Sequence, residues 1–228
     1  AQMALDEAVL GLAEKGACYL RFYRWPEGAR VHGVTFGRSQ RFEDVEVAVR
    51  RRCAGITFPV VRRCTGGGIV FHDGDLTFSF VFPWTRLSGP EFVYRRVHMS
   101  VQVGLRAHGV HVRLWKREAT ATASGRRVPA VRRECFSGPE PEDLVDERGE
   151  KIVGGALWRR RGMGLYQGSM RREGLGPSSE RLDRVLVEGF GLQWKTVFEP
   201  GPPRAAVAAE AERLRLEKYS RDSWNKRR

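Results

Sequence analysis

Residues 60–73 read VVRRCTGGGIVFHD, and this stretch decides how the rest of the sequence is interpreted. Three consecutive glycines stand between two short apolar segments typical of β-strands, so a ligand can lie directly against their amide groups. A Walker A loop is excluded because no Gly-Lys-Ser/Thr follows, and a dinucleotide fingerprint is excluded because a strand follows the glycines. A flexible hairpin tip is the alternative. Because a hairpin needs only two turn residues, we interpret the segment as a binding loop.

Around this loop, groups of strands alternate with helices. Residues 18–25 and 29–36 are strand-like and flank Pro-Glu-Gly, which predicts a hairpin. Further strands are expected near 57–63, 69–71, 76–82, 110–114, 143–145, 151–157 and 163–169, and helices near 1–15, 43–53, 88–109, 179–190 and 203–218. Strands that outnumber helices and arrive mostly as hairpins predict an α+β fold, with a mixed, largely antiparallel sheet flanked by helices.

Length and composition exclude several classes of protein. The 228 residues, 41% of them hydrophobic, suffice for one folded domain covering residues 1–228. No apolar run approaches the roughly 18 residues of a membrane span, and the first residues lack the basic segment of a signal peptide. Four cysteines without a CxxC pair disfavour a disulfide scaffold or a structural zinc site. We therefore expect a soluble, cytoplasmic protein with no metal site and no membrane contact.

The net charge of +13 first suggests a nucleic-acid partner. Of the 40 basic residues, 34 are arginine, scattered in short runs without a basic helix, zinc-finger spacing or an RNP-like aromatic string. This distribution disfavours nucleic acid. It fits either the codon usage of a GC-rich genome or a surface that attracts acidic protein partners.

Two further segments carry candidate chemistry. Lys151 begins KIVGGA, where a compact ammonium suits contact with a carbonyl or phosphate oxygen; a solvated strand-edge lysine is the alternative. Cys135 follows Arg132 and Arg133, which are expected to depress the pKa of its thiol and make it a nucleophile; an inert loop cysteine is the alternative. The other three cysteines, Cys18, Cys53 and Cys64, are expected to be structural.

In this order, the segments resemble the lipoate-protein ligase A and octanoyltransferase family over nearly the whole chain. The matching segments are MALDEAVL (3–10), RFYRW (21–25), GRSQ (37–40), the glycine-loop stretch (60–83), KIVGGALWRRRGMGLYQGSM (151–170) and KYSRDSWN (218–225). The resemblance implies a fold like the catalytic core of biotin-protein ligases and class II tRNA synthetases. It also implies chemistry on a medium-chain acyl group that is attached to a lysine of a carrier domain. The family's usual first strand is absent ahead of residue 3, so Ala1 is expected to be an internal start.

Two mechanisms share that scaffold. A ligase activates lipoate with ATP and Mg to lipoyl-adenylate, whereas a transferase takes octanoate from acyl carrier protein through a cysteine thioester and requires no cofactor. CFSGPEPEDLV (135–145) resembles the segment that carries the acyl-accepting cysteine of cysteine-type octanoyltransferases. From the length we also expect no C-terminal accessory domain, although a ligase split across two chains would share this feature. Both points favour the transferase; an ATP-dependent ligase is the alternative, and a non-enzymatic nucleic-acid binder a distant one.

The resemblance also implies roles for individual residues and partners. Cys135 and Lys151 are the expected catalytic residues. His72 is a candidate general base, with a structural role as the alternative. The expected substrate-binding residues are Arg63, Thr65, Gly66, Gly67, Gly68, His72, Gly154, Gly155, Ala156 and Gly168. The expected partners are acyl carrier protein and the lipoyl domains of 2-oxoacid dehydrogenase complexes or the glycine cleavage H protein.

Overall fold

The computed structural model describes residues 2–25, 31–53, 55, 57–85, 88–116, 138–173, 175, 179–201 and 203–227. The helices are α1 (Gln2–Leu12), α2 (Phe42–Arg52), α3 (Pro90–Ala107), α4 (Ser179–Trp194), α5 (Ala205–Leu214) and α6 (Asp222–Asn225), and a π-helical turn (Arg215–Tyr219) continues α5. The strands are β1 (Tyr19–Arg24), β2 (Gly33–Phe36), β3 (Val60–Arg62), β4 (Ile69–His72), β5 (Leu76–Pro83), β6 (Arg113–Leu114), β7 (Leu144–Val145), β8 (Lys151–Arg160) and β9 (Met163–Met170). None of the helices in these ranges has the length and apolar character needed to cross a membrane.

The strands in these ranges form two sheets. The larger sheet has six strands in the order β1-β5-β9-β8-β7-β6, and every neighbouring pair is antiparallel. In the smaller sheet β2 is central, parallel to β3 and antiparallel to β4. The predicted mixed, largely antiparallel α+β fold is therefore confirmed.

The predicted hairpin between residues 18–25 and 29–36 is wrong. β1 pairs with β5 in the six-stranded sheet, whereas β2 lies in the small sheet between β3 and β4. The two segments are adjacent in sequence, but the eight-residue strand β5 offers β1 a longer partner with six register pairs, from Tyr19↔Val81 to Arg24↔Leu76. The pairing is thus decided by tertiary contacts and not by sequence proximity.

Strand β5 shows how the six-stranded sheet is covered on both faces. Its alternate residues Phe78, Phe80 and Phe82 are completely buried in the main core, together with residues of α3 and α4. The intervening Ser79 and Val81 face α1 on the other side, where Ser79 donates a hydrogen bond to Asp6 and Val81 packs with Val9 and Leu10. The period of two along the strand therefore separates a helix pair on one face from α1 on the other.

The C-terminal segment is fastened to the small sheet by Arg62 of β3. Its guanidinium is almost fully buried and donates hydrogen bonds to backbone carbonyl oxygens on two sides. On one side lie Arg38 and Gln40; on the other lie Trp224, Asn225 and Arg227. Asn225 Oδ1 also accepts a hydrogen bond from the backbone N–H of Arg62. The start of the glycine loop is therefore held in place by the end of the described chain.

Candidate active site

The glycine loop is held from inside by Arg63. This side chain is 6% exposed, and its Nη2 lies 3.0 Å from the carbonyl oxygen of Gly66 and 2.9 Å from that of Gly68. Its Nη1 donates to Thr35 Oγ1 of β2 at 2.9 Å. Successive residues of an extended chain point to opposite sides, so Arg62 reaches the C-terminal segment while Arg63 reaches the loop. Arg63 thus fixes the shape of the loop.

Glycine is required at two positions where the loop meets β2. Gly67 has φ +85°, a conformation that other residues rarely adopt. At Gly37, just beyond β2, a Cβ would lie 2.0 Å from the carbonyl oxygen of Gly67. The loop therefore crosses directly over the end of β2, and β3 and β4 on its two sides both pair with that strand.

A chain of hydrogen bonds ties the loop to helix α1. Thr65 Oγ1 donates to Gln167 Oε1 at 2.8 Å, and Gln167 Nε2 donates to Asp6 Oδ2 at 2.6 Å. Asp6 is fully buried, and it also accepts hydrogen bonds from Ser79, Tyr23 and Arg21. A buried carboxylate with this many donors is satisfied, so it forms a fixed anchor for Gln167 and Thr65.

A narrow cavity lies where the two sheets meet. Its empty space is about 380 Å³, including the part open to solvent. Predicted and unpredicted residues line it together: Met3, Tyr23, Thr35, Arg63, Gly67, Val70, His72, Thr77, Gly154, Gly155, Ala156, Gln167, Gly168 and Ser169. Three of the predicted substrate-binding residues do not line the cavity: Thr65, Gly66 and Gly68. Each is hydrogen-bonded to a residue that does. Glycines, a methionine and a valine give the wall little bulk and much apolar surface, which suits a thin aliphatic chain.

Lys151, at the start of β8, forms a buried ion pair with Asp143. Lys151 Nζ lies 2.7 Å from Asp143 Oδ2, and the two side chains are 5% and 0% exposed. Tyr94 Oη of α3 donates to Asp143 Oδ1 at 2.6 Å, and the backbone N–H of Glu140 donates to Oδ2 at 2.7 Å. Burial first, and then the neighbouring Tyr166 and the Asp143 carboxylate, raise the pKa of Tyr94 well above its usual value, so its hydroxyl keeps its proton and acts as a donor. The strand-edge alternative for Lys151 is therefore wrong: its ammonium is buried.

A glycine is needed at position 154, three residues after Lys151, to leave room for the lysine side chain. A Cβ at this position would lie 2.1 Å from Lys151 Cε and 2.4 Å from its Nζ. The lysine side chain therefore lies across its own strand, over Gly154, which lines the cavity. The next residue adds a further link, because the Gly155 N–H donates to Tyr94 Oη at 3.1 Å.

The ring of Tyr166 fills the space that a side chain would occupy at Gly155 of β8 or Gly168 of β9. A Cβ on Gly155 or Gly168 would approach its ring within 2.4 Å. Its hydroxyl lies 2.7 Å from Nε2 of the fully buried His98, whose Nδ1 lies 2.5 Å from the carbonyl oxygen of Glu142. Burial lowers the pKa of His98 to about 4, so the ring is neutral at pH 7. Since a carbonyl can only accept, Nδ1 carries the proton and Tyr166 donates to Nε2.

His72 is a wall residue with both ring nitrogens engaged. Its Nδ1 lies 3.0 Å from Asp75 Oδ2, its Nε2 lies 2.8 Å from Thr35 Oγ1, and its ring stacks on Trp25 with centroids 4.2 Å apart. The Asp75 carboxylate also accepts hydrogen bonds from Thr77 and Ser169. Of the two roles predicted for His72, this geometry favours the structural one.

Cys135 lies outside the described residues, so its distance from Lys151 stays a prediction. Of the cysteines in the described ranges, Cys53 and Cys64 are buried and Cys18 is partly buried. Burial raises the pKa of the Cys64 thiol to about 12, which keeps it protonated and unreactive. In those same ranges, no group of three or more His, Cys, Asp or Glu side chains is placed to hold a metal ion.

Residues 1–188 match the family model of the lipoyl protein ligase A/B catalytic domain. The chain belongs to this family. Among its curated relatives, the octanoyltransferase LipM of Kyrpidia tusciae is 30% identical over 99% of this chain and 94% of the relative. The octanoyltransferase LipM of Geobacillus kaustophilus is 31% identical over 99% and 93%.

Solved structures of lipoate ligases share the fold. A lipoate-protein ligase A bound with ATP superposes with a TM-score of 0.77 at 22% identity, over 98% of this chain and 92% of that one. A bi-partite lipoate protein ligase of Thermoplasma acidophilum, studied with its E2 lipoyl domain, superposes with a TM-score of 0.73 at 22% identity, over 99% and 90%. The lipoyl ligase catalytic fold expected from the motifs is thus confirmed.

Three residues of this lipoyl ligase A/B domain were missed by sequence reasoning: Asp143, Tyr94 and Asp6. Asp143 directly precedes the apolar pair of β7, and Asp6 lies three residues after Met3 and four before Leu10, on the buried face of α1. A carboxylate at an apolar helical position is a signal for a buried polar contact and could have identified Asp6. Tyr94 gave no comparable signal, because a tyrosine on an amphipathic helix is ordinarily part of a core.

Proposed function

We propose that this protein, with residues 1–228 as one catalytic domain, transfers an octanoyl group from acyl carrier protein to a lysine of a lipoyl carrier domain. The observation that carries the proposal is the buried Lys151–Asp143 pair beside a narrow apolar cavity, in a chain whose full-length relatives are named octanoyltransferases. No cofactor is required for this reaction. ATP and Mg belong to the ligase alternative.

The cavity suits the acyl chain. Its walls combine the aliphatic side chains of Met3, Val70 and Ala156 with the Cβ-free backbone of Gly67 and Gly154. Apolar surface of this kind favours a hydrocarbon chain by removing it from water. The Lys151 side chain lies over Gly154 in the cavity wall, and this proposal places the carbonyl of the acyl group near its ammonium.

The transfer takes place in two steps. The Cys135 thiolate attacks the carbonyl carbon of the octanoyl thioester, the carbon–sulfur bond to the carrier breaks, and the carrier thiolate leaves and takes up a proton. The neutral amine of the acceptor lysine then attacks the new thioester, an amide bond forms, and the Cys135 thiolate leaves while the nitrogen loses its proton. In both steps the Lys151 ammonium stabilises the negative charge that develops on the carbonyl oxygen.

Asp143 and Tyr94 are positioning residues in this mechanism. Asp143 holds the lysine ammonium at 2.7 Å, and Tyr94 fixes Asp143 while accepting a hydrogen bond from Gly155 on the same strand as the lysine. A charge held in a water-poor place before the reaction needs no reorganisation when the oxyanion forms. Arg63, Thr65 and Gln167 serve in the same way for the loop that forms the wall.

The test is to incubate the protein with octanoyl-acyl carrier protein and to measure its intact mass. We expect an increase by one octanoyl group that hydroxylamine removes and that is absent in Cys135→Ala. Cys64→Ala is the matched control. The pKa of this buried thiol is raised to about 12, so it provides no thiolate to acylate, and this variant should still form the octanoyl adduct. Addition of a lipoyl domain then moves the octanoyl group to that domain.

The alternative gives the opposite result. An ATP-dependent ligase exchanges pyrophosphate into ATP in the presence of lipoate or octanoate, and does so equally well in Cys135→Ala. This result, together with the absence of a hydroxylamine-sensitive adduct, would overturn the transferase.

A further inference from the structure

Four basic side chains and two tryptophans form a cluster on the surface beside the glycine loop. The guanidinium groups of Arg38 and Arg160 both lie 5.9 Å from the centre of the Trp158 ring. On the other side, the Lys218 ammonium and the Arg227 guanidinium lie 3.9 Å and 3.8 Å from Trp224. We call this set, Arg38, Trp158, Arg160, Lys218, Trp224 and Arg227, the basic ring.

Two links connect the halves of the basic ring. The Arg62 guanidinium donates to the backbone carbonyl oxygens of both Arg38 and Arg227, which places these two residues side by side. Burial first, and then the charge of Arg38, lower the pKa of Arg227. Between Arg160 and Lys218 lies the buried carboxylate of Glu7, 3.9 Å from Arg160 and 2.6 Å from Lys218. Glu7 therefore pairs with two of the four basic side chains of the basic ring, Arg160 and Lys218.

Several neighbouring basic residues of the C-terminal segment are matched by carboxylates: Arg213 by Glu210 and Glu217, Arg215 by Glu212, and Lys226 by Asp222. In the described part of the chain, neither Arg38 nor Arg227 has a carboxylate within ion-pair distance. Like charges placed side by side repel, so such a cluster is favourable only where an anion offsets it.

The basic ring is directly attached to the cavity wall. The backbone N–H of Arg38 donates to the carbonyl oxygen of Thr65 in the glycine loop at 2.8 Å. Trp158 lies two residues beyond Ala156, a lining residue, on the same face of β8. It also packs against the buried cluster that contains Cys64, at the start of the loop. An anionic molecule on the ring would therefore stand next to the cavity.

We propose that the basic ring is the docking surface for the acyl donor, an acidic carrier protein whose acyl thioester is borne on a phosphate-containing arm. This inference rests on the proposed function and names the surface at which its donor binds. Arginine suits phosphate and carboxylate groups because its planar fork donates paired hydrogen bonds, and the flanking tryptophans add flat apolar area.

The charge favours the donor over the acceptor at this surface. The acceptor domain presents a lysine, which must lose its proton before it can attack. Four neighbouring positive charges would repel its ammonium form. The donor presents an anion, which the same charges attract and steer. The acceptor is therefore expected to approach from another side.

The test measures the dissociation constant of octanoyl-acyl carrier protein for the Arg38→Glu and Arg227→Glu variants, each made in Cys135→Ala so that the octanoyl group stays on the carrier. We expect each reversal to raise the constant about tenfold or more at low salt, and to reduce its dependence on salt. The matched control is Arg106→Glu, which makes the same change in charge at an exposed position in the last turn of α3, across the six-stranded sheet; it should bind as the unaltered protein does.

Three other results would each contradict a specific part of the proposal. An unchanged constant in both variants, or an equal loss in Arg106→Glu, would overturn the docking surface. A loss of affinity for an isolated lipoyl domain with none for the octanoyl carrier would overturn the assignment to the donor. Because binding is measured without turnover, a protein that binds the carrier through the ring but does not transfer octanoate would disprove the proposed function alone.

Discussion

Asp143 Oδ2 lies 2.7 Å from Lys151 Nζ, and both groups are buried beside the cavity. Eight positions separate them in the sequence, yet a β-turn brings the two strands together, with Val145 of β7 opposite Lys151 of β8. Burying a single charge is costly, but a pair with further hydrogen bonds offsets most of that cost. The ion pair is therefore both a structural element and a means of placing one positive charge.

The first prediction concerns the stability of this pair. Asp143→Ala removes the carboxylate that faces the buried Lys151 ammonium and should lower the free energy of unfolding by about 3–5 kcal/mol. The double variant Asp143→Leu, Lys151→Met removes both charges and should recover part of the loss without recovering octanoyl transfer; the rest remains because Tyr94 and the Glu140 N–H lose their acceptor. Urea unfolding followed by circular dichroism measures both. A double variant no more stable than Asp143→Ala would show that the pair does not carry this energy.

The second prediction concerns Gly154. Because its Cβ would lie 2.1 Å from Lys151 Cε, Gly154→Ala must displace the lysine by an ångström or more. The kcat of octanoyl transfer should then fall about 100-fold. Gly11→Ala is the control, since nothing lies within 4 Å of a Cβ there and α1 should become slightly more stable. Equal kcat values for the two variants would contradict the placement of Lys151.

Sequence reasoning was accurate where the signal is local. Strand periods, glycine turns and helix faces predicted the antiparallel α+β fold, and they placed nearly every strand within a few residues of its observed range. The partner of β1 was not predicted, because the choice of β5 over β2 depends on residues more than fifty positions away. Local pattern carries no information on such pairing.

The candidate site, too, was predicted only in part: its lining residues were largely predicted, and the residues that hold them were not. Motif residues such as Gly67, His72 and Ala156 do line one cavity, because a motif records which residues act together. Of the residues that hold them, Asp6 could have been identified from its position on the apolar face of α1, whereas Asp143 is one of 27 acidic residues and no local pattern marks it as buried. Their role depends on packing between distant elements.

The third prediction concerns Arg62. Arg62→Met removes the guanidinium donors that hold the carbonyl oxygens of Trp224, Asn225 and Arg227, and also those that reach the carbonyl oxygens of Arg38 and Gln40. The free energy of unfolding should fall by about 3 kcal/mol or more, and the C-terminal segment should become sensitive to trypsin. Arg41→Met, at an exposed side chain, serves as the control and should change neither. If the C-terminal segment of Arg62→Met resisted trypsin as well as that of the unaltered protein, Arg62 would not be the residue that holds it.

The fourth prediction concerns pH. Burial lowers the pKa of His98 from 6.5 to about 4 in the folded protein, whereas the unfolded chain titrates near its ordinary value. Between these values the unfolded state binds more protons, so stability falls as the pH falls from about 6.5 to 4, by about 3 kcal/mol in total. In His98→Asn, whose amide can still donate to the Glu142 carbonyl, this contribution is absent. Urea unfolding at pH 7, 6, 5 and 4 should therefore show a shallower pH dependence in the variant than in the unaltered protein. If the free energy of unfolding changed with pH by the same amount in both proteins, His98 would titrate alike in the folded and unfolded states. That result would contradict its burial between Tyr166 and Glu142.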